Sequence, residues 1–186
     1  IPPEFEKQPD EYIRLVTEQM IPTVTRHGLA EFCDVFCEEG VFNIEQSRQI
    51  LCAGKQHGLT PKLHADELSD TQGARLAAEI GAVSAEHLLY ASEAGLGTMA
   101  KRGVMAVLLP AAAFALMAGR YADARRMVEM GVPVALGTDF NPSCWVENMP
   151  LVVAFACHYM KLTPSETITA ATINAAAAIG LGGQVG

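Results

Sequence analysis

Three short polar clusters carry the residues that could do chemistry in this chain: Lys62-Leu63-His64-Ala65-Asp66-Glu67, Ser84-Ala85-Glu86-His87 and Gly137-Thr138-Asp139-Phe140-Asn141-Pro142. Each stands where a short apolar run gives way to polar residues. In an α/β chain that point is the C-terminal end of a strand, where the loops of parallel-sheet enzymes build their pocket. A His, a Glu, a second His and an Asp delivered to one rim form the donor set of a metal-assisted hydrolase.

The elements that must position them follow from periodicity. A helix is expected from Asp10 to Thr25, capped by Asp10 and bent at Pro22, with Ile13, Val16, Met20 and Val24 at helical spacing. Strands are expected at Phe32–Cys37, Leu59–Leu63, Ala82–His87, Val104–Leu109 and Val132–Leu136. Between and after them, helices are expected at Asn43–His57, Gln72–Ile80, Ala91–Arg102, Ala122–Met130, Met149–Met160 and Pro164–Ile179. Strand ends fall near Glu38, His64, His87, Leu109 and Gly137, at the spacing of βα units. Five such units predict a parallel sheet, either doubly wound or part of a (β/α)8 barrel. No GxGxxG or GxxxxGK[ST] follows a strand, so the nucleotide-binding variant of the doubly wound fold has no support. A full barrel takes about 250 residues. The 186 residues here would make one partial domain, residues 1–186, with about five of eight strands.

Composition narrows the class. A net charge of −8 and no basic stripe argue against nucleic acid. No apolar run reaches the ~20 residues of a membrane helix; the most apolar stretch, Val104–Met117, is broken by Pro110. The chain opens Ile-Pro-Pro-Glu, without the basic and apolar regions of a signal peptide, and without Met. With its close on Gly-Leu-Gly-Gly-Gln-Val-Gly, both ends read as cut, and a fragment of a longer protein is expected. Cys33, Cys37, Cys52, Cys144 and Cys157 show no zinc-ribbon spacing, so buried, reduced thiols in a cytoplasmic protein are expected.

In order and spacing, the HADE, SAEH and GTDFNP clusters resemble the C-terminal half of an amidohydrolase-superfamily barrel. The Thr-Asp-Phe-Asn-Pro segment, the Leu-Leu-Pro strand end, the opening Ile-Pro-Pro-Glu-Phe and the closing Thr-Ile-Asn-Ala-Ala-Ala-Ala-Ile-Gly-Leu are similar to the imidazolonepropionase family within it. The resemblance spans essentially the whole chain and under half of that family's length. It implies a metal-dependent hydrolase of histidine degradation, opening the ring of 4-imidazolone-5-propanoate to N-formimidoyl-L-glutamate. It also implies one divalent metal, zinc or iron, a small-molecule substrate and a homodimer.

Residue by residue, the resemblance implies that His64 and Asp139 are metal ligands. Further superfamily ligands lie in an HxH motif, and this chain has no H-x-H. Glu67 is implied to bind substrate and shuttle protons, and His87 to act on the attacking water. Asn141, Ser143 and Cys144 are implied to contact the propanoate side of the substrate. Here Asn-Pro-Ser-Cys departs from the family's more usual Asn-Pro-Gly followed by Ser or Thr, which weakens the hydrogen-bonding case for Cys144. Competing readings stand beside these. His64 could be a satisfied core histidine, Glu67 a helix cap before Gln72, and Asn141-Pro142 plain turn chemistry. Asp66 and Asp70 read as solvent-facing or capping residues, His27, His57 and His158 as structural or exposed, and Trp145 as either pocket lining or packing. Two other functions remain open: a ring deaminase, and a fragment inactive without the HxH ligands.

Overall fold

The computed structural model describes residues 1–185. After a 3-10 turn (Pro3–Phe5) come helix α1 (Pro9–Leu15), a π-helical turn (Val16–Met20) and α2 (Ile21–Arg26). The expected bend near Pro22 takes this form: proline has no N–H to donate back along the helix, and the backbone widens ahead of it. Asp10 does not cap α1; Pro9 occupies its first turn and Gln8 precedes it without a side-chain hydrogen bond.

Five βα-type units follow. They comprise β1 (Phe32–Cys37), α3 (Ile44–Gln56), β2 (Thr60–Ala65), α4 (Gly73–Ile80), β3 (Ser84–His87) and α5 (Glu93–Arg102). Next come β4 (Met105–Leu108), α6 (Pro110–Ala115), α7 (Ala124–Glu129), β5 (Val134–Leu136), α8 (Met149–Tyr159), α9 (Pro164–Ala171) and α10 (Ile173–Ala178). Two helices differ from the sequence pattern. Pro110 ends the β4 run as expected but also starts α6, because its fixed φ suits a first helical turn. The single helix expected over Pro164–Ile179 breaks at Thr172, whose φ and ψ of −124° and −89° are not helical.

All neighbouring strands are parallel, in the order β1-β2-β3-β4-β5. A doubly wound sheet reverses its strand order at a switch point. This sheet never reverses, and each strand lies beside its sequence neighbour. That is the wall of a partial (β/α) barrel.

The two faces of the wall are chemically different because side chains alternate along a strand. Val35, Leu63, Ala85, Ala106, Leu108, Val134 and Leu136 are buried in the main core with helix residues such as Leu51, Leu76, Met99 and Met127. The other face, the barrel interior, carries Asp34, Lys62, His64, Ser84 and Glu86 on β1–β3. On β4 and β5 it turns apolar, where Met105 and Ala135 pack with Ala178 of α10.

Helices sit close to the sheet where glycine allows it. A Cβ on Gly54 of α3 would stand 2.7 Å from Cys33 Cβ and 2.9 Å from its sulfur on β1. Gly54→Ala should therefore destabilise the fold by about 1–3 kcal/mol through overpacking. Urea unfolding checks this: the midpoint should fall with an unchanged m-value.

Candidate active site

His64 is the fifth residue of β2 and points into the barrel interior beside Phe36 of β1 and Glu86 of β3. Beneath it lies a buried polar network. Lys62 Nζ sits 3.0 Å from Glu86 Oε1 and bonds Ser84 Oγ, which itself donates to Glu86 Oε1 at 2.5 Å. Opposite, Asp34 Oδ2 lies 2.7 Å from His64 Nδ1, an ion pair when the ring is protonated.

His87 reaches the same spot by a different route. It follows Glu86, so an extended strand would aim it at the helices. Instead His87 and Leu88 adopt φ of 70° and 60°. This left-handed turn at the strand end brings its ring centroid to 5.3 Å from that of His64. Asp66 after β2 (φ 52°) and Asp139 after β5 (φ 53°) do the same. Non-glycine residues rarely hold such angles, and those that do cluster at functional sites.

Asp66 is fully buried. Its oxygens accept from Thr71 N and Oγ1 (both 3.0 Å), Gly73 N (2.9 Å) and Ala74 N (2.9 Å). It thus caps α4, the capping one of its two expected readings, and leaves Glu67 free of a capping role. Asp70 caps more weakly, accepting from Gln72 N at 3.1 Å.

Glu67 Oε1 lies 3.5 Å from His87 Nδ1, and Asp139 Oδ2 lies 3.9 Å from His87 Nε2. A cavity of about 420 Å³ opens over this group. His64, Glu67, His87, Asp139, Asn141 and Ser143 line it, with Phe36, Leu68 and Leu116 as apolar walls. Six of the seven site residues expected from sequence therefore meet in one place. Cys144 does not: it is 1% exposed and its sulfur faces Thr138 O at 3.7 Å, because the 141–144 turn closes on itself through two backbone hydrogen bonds. Asn141 also serves that turn, donating to Asp139 O and accepting from Ser143 N, both at 2.8 Å. Trp145 lies outside the cavity, 77% exposed and edge-on to Phe140. His27, His57 and His158 are exposed, as expected. Cys52 is exposed as well, contrary to the expectation of buried thiols, because it lies on the outer side of α3.

Asp34, Lys62, Glu86 and Glu38 stand outside the candidates that the motifs offer. Polar residues at alternate positions of otherwise apolar strands were the available signal for the first three. Glu38 directly follows β1, at a strand end like those of His64 and His87. Leu68 and Leu116 carry no sequence signal.

Electrostatics sets the two imidazoles apart. Burial works against charge on His64, but the nearby carboxylates of Asp34, Glu86 and Asp139 outweigh it and raise its pKa. Burial, reinforced by a charged His64, pushes His87 down to about 4. Burial also raises the Glu67 carboxyl, with the charges of Asp139 and Glu38 adding to it against His64.

One ligand atom each from His64, His87 and Asp139 lies within 4.8 Å of the others. Two imidazoles and a carboxylate are good donors for a divalent transition metal. These residues fit a metal ion.

A sequence model of the amidohydrolase family matches residues 53–186. The chain belongs to the amidohydrolase family. The resemblance drawn from the three motifs is thus borne out, and this amidohydrolase chain has similar curated relatives along its whole length. It is 58% identical to the imidazolonepropionase of Geobacillus thermodenitrificans, 52% to that of Alkaliphilus oremlandii and 54% to that of Bacteroides fragilis. All of this chain is covered in each case, with 44%, 44% and 45% of the relative. The chain therefore spans under half the length of the curated relatives it matches. Solved structures share the fold. The A. niger ochratoxinase superposes at TM-score 0.70 with 23% identity, over 90% of this chain and 43% of its own. An adenosine deaminase from Xanthomonas campestris with bound zinc superposes at 0.65 with 24% identity, over 78% and 38%.

The opposed shifts of the two imidazoles are checked by histidine NMR titration of metal-free protein. His64 should stay protonated above the ordinary 6.5, while His87 should remain neutral until the pH falls to about 4. Two rings titrating together near 6.5 would contradict this electrostatic picture.

Proposed function

We propose that these residues form the later five βα units of an imidazolonepropionase. The enzyme hydrolyses the cyclic amide C–N bond of imidazolone propanoate to give N-formimidoyl-L-glutamate. The observation that carries this reading is the meeting of Glu67, His87 and Asp139 with His64 around one cavity, in a chain 50–58% identical to imidazolonepropionases.

His64 and Asp139 would hold the metal, with His87 beside them. When bound, a divalent ion of zinc or iron supplies Lewis acidity and lowers the pKa of water from 15.7 to about 7. The rest is the work of side chains. Glu67, with its pKa raised, is suited to take a proton from the attacking water and hand it to the departing ring nitrogen. His87 is held neutral, so Nδ1 and Nε2 can divide between one donor and one acceptor and orient the water between Glu67 and Asp139. Ser143, on the cavity wall, offers a hydroxyl to the propanoate arm, and Asn141 fixes the turn that presents it. Phe36, Leu68 and Leu116 form apolar walls that exclude water from the ring. Free cysteines support placing the enzyme in a reducing cytoplasm.

The remaining metal ligands belong to barrel strands outside this sequence. The 186-residue chain alone is therefore expected to show little or no ring opening, and adding an N-terminal piece that carries an HxH strand should restore it. Glu67→Gln in the restored enzyme should lower kcat by about 10²–10⁴-fold. Absorbance of the imidazolone ring and an ammonia assay read the outcome. Ammonia release from a purine or pyrimidine ring, without opening of imidazolone propanoate, would replace this function with a deaminase. Full turnover by the chain alone would overturn the need for the other strands.

A further inference from the structure

Glu67 is carried on a loop, and loops do not hold a catalytic carboxylate still without support. The support comes from a second carboxylate. Glu38, at the end of β1, is 1% exposed, and among the described residues it pairs with no lysine or arginine. Its Oε2 accepts from the backbone N–H of Glu67 at 3.0 Å and of Leu68 at 2.9 Å. Its Oε1 accepts from Ser69 Oγ at 2.5 Å and from Glu39 N at 3.1 Å. Burial disfavours the charge, but these donors outweigh it and hold the Glu38 carboxyl below its ordinary range. A buried anion held by N–H and O–H donors alone is a rigid joint, because every donor loses a partner if the loop moves.

We propose that Glu38 is the positioning residue for Glu67: it locks residues 67–69 so that the Glu67 carboxylate stays against His87. Asp66 fixes the other end of the same loop to α4, so the two buried carboxylates clamp it from both sides. The inference rests on the catalytic role given to Glu67 above.

Glu38→Gln keeps the length but turns one oxygen into a donor facing donors. In the full-length, metal-loaded protein it should leave metal content unchanged, since His64 and Asp139 stand on other elements. Hydrogen exchange at the Glu67 and Leu68 amides should quicken. The kcat should fall about 10- to 100-fold, and the change should cost nothing further in a Glu67→Gln background, as two residues acting through one group require. Unchanged turnover in a folded Glu38→Gln protein, loss of metal, or losses that multiply with Glu67→Gln would overturn the proposal. A silent Glu67→Gln beside a damaging Glu38→Gln would instead overturn the role of Glu67. If Glu38→Gln does not fold, Ser69→Ala decides. Faster exchange at Leu68 with a kcat lowered by about two- to tenfold supports the joint; wild-type exchange and turnover overturn it.

Discussion

The pairing of β2 with β3 is the constraint on which the site depends. The register sets His64 opposite Glu86 and Ala65 opposite His87. A slip of one residue would turn His64 into the helix layer and place an apolar side chain at the rim. The pairing alone does not suffice, because it would leave His87 on the wrong face. The left-handed turn at His87 and Leu88 resolves this by reversing the side chain at the last paired residue. The same device recurs at Asp66 and Asp139. Regular parallel strands set the distances between units, and left-handed residues beyond the strand ends aim His87 and Asp139 at the site and Asp66 at the start of α4.

The barrel interior holds more anions than cations. Asp34, Glu67, Glu86 and Asp139 gather around His64 and His87, and Lys62 supplies the cation beneath them by pairing with Glu86. Such an excess of negative charge is costly to bury. It falls when a divalent cation enters or when an imidazole takes a proton. The raised pKa of His64 is the second of these responses. Glu38 and Asp66 answer the same problem with backbone donors instead, which ties their charge to the geometry of one loop.

Much of this was legible in the chain. Apolar runs with polar ends gave all five strands to within two residues or so, and the amidohydrolase motifs picked out His64, Glu67, His87 and Asp139. What escaped was set by contacts distant in sequence. Glu38 reads as one acidic residue near a strand end until β1 is laid beside β2, which brings it to Glu67, 29 residues further along the chain. Cys144 reads as a member of the Asn-Pro-Ser-Cys loop until the turn hydrogen bonds rotate it inward. The helix α6 was hidden because Pro110 signals both an end to a strand and a beginning to a helix.

The central claim is that His64 and Asp139 hold a divalent metal at the rim of this sheet. Metal stoichiometry by mass spectrometry tests it most directly, on the full-length protein and on its His64→Ala and Asp139→Ala variants, each confirmed as folded. The account predicts close to one zinc or iron per chain in the parent protein and a large loss in both variants. Variants that keep the parent's metal content would contradict it.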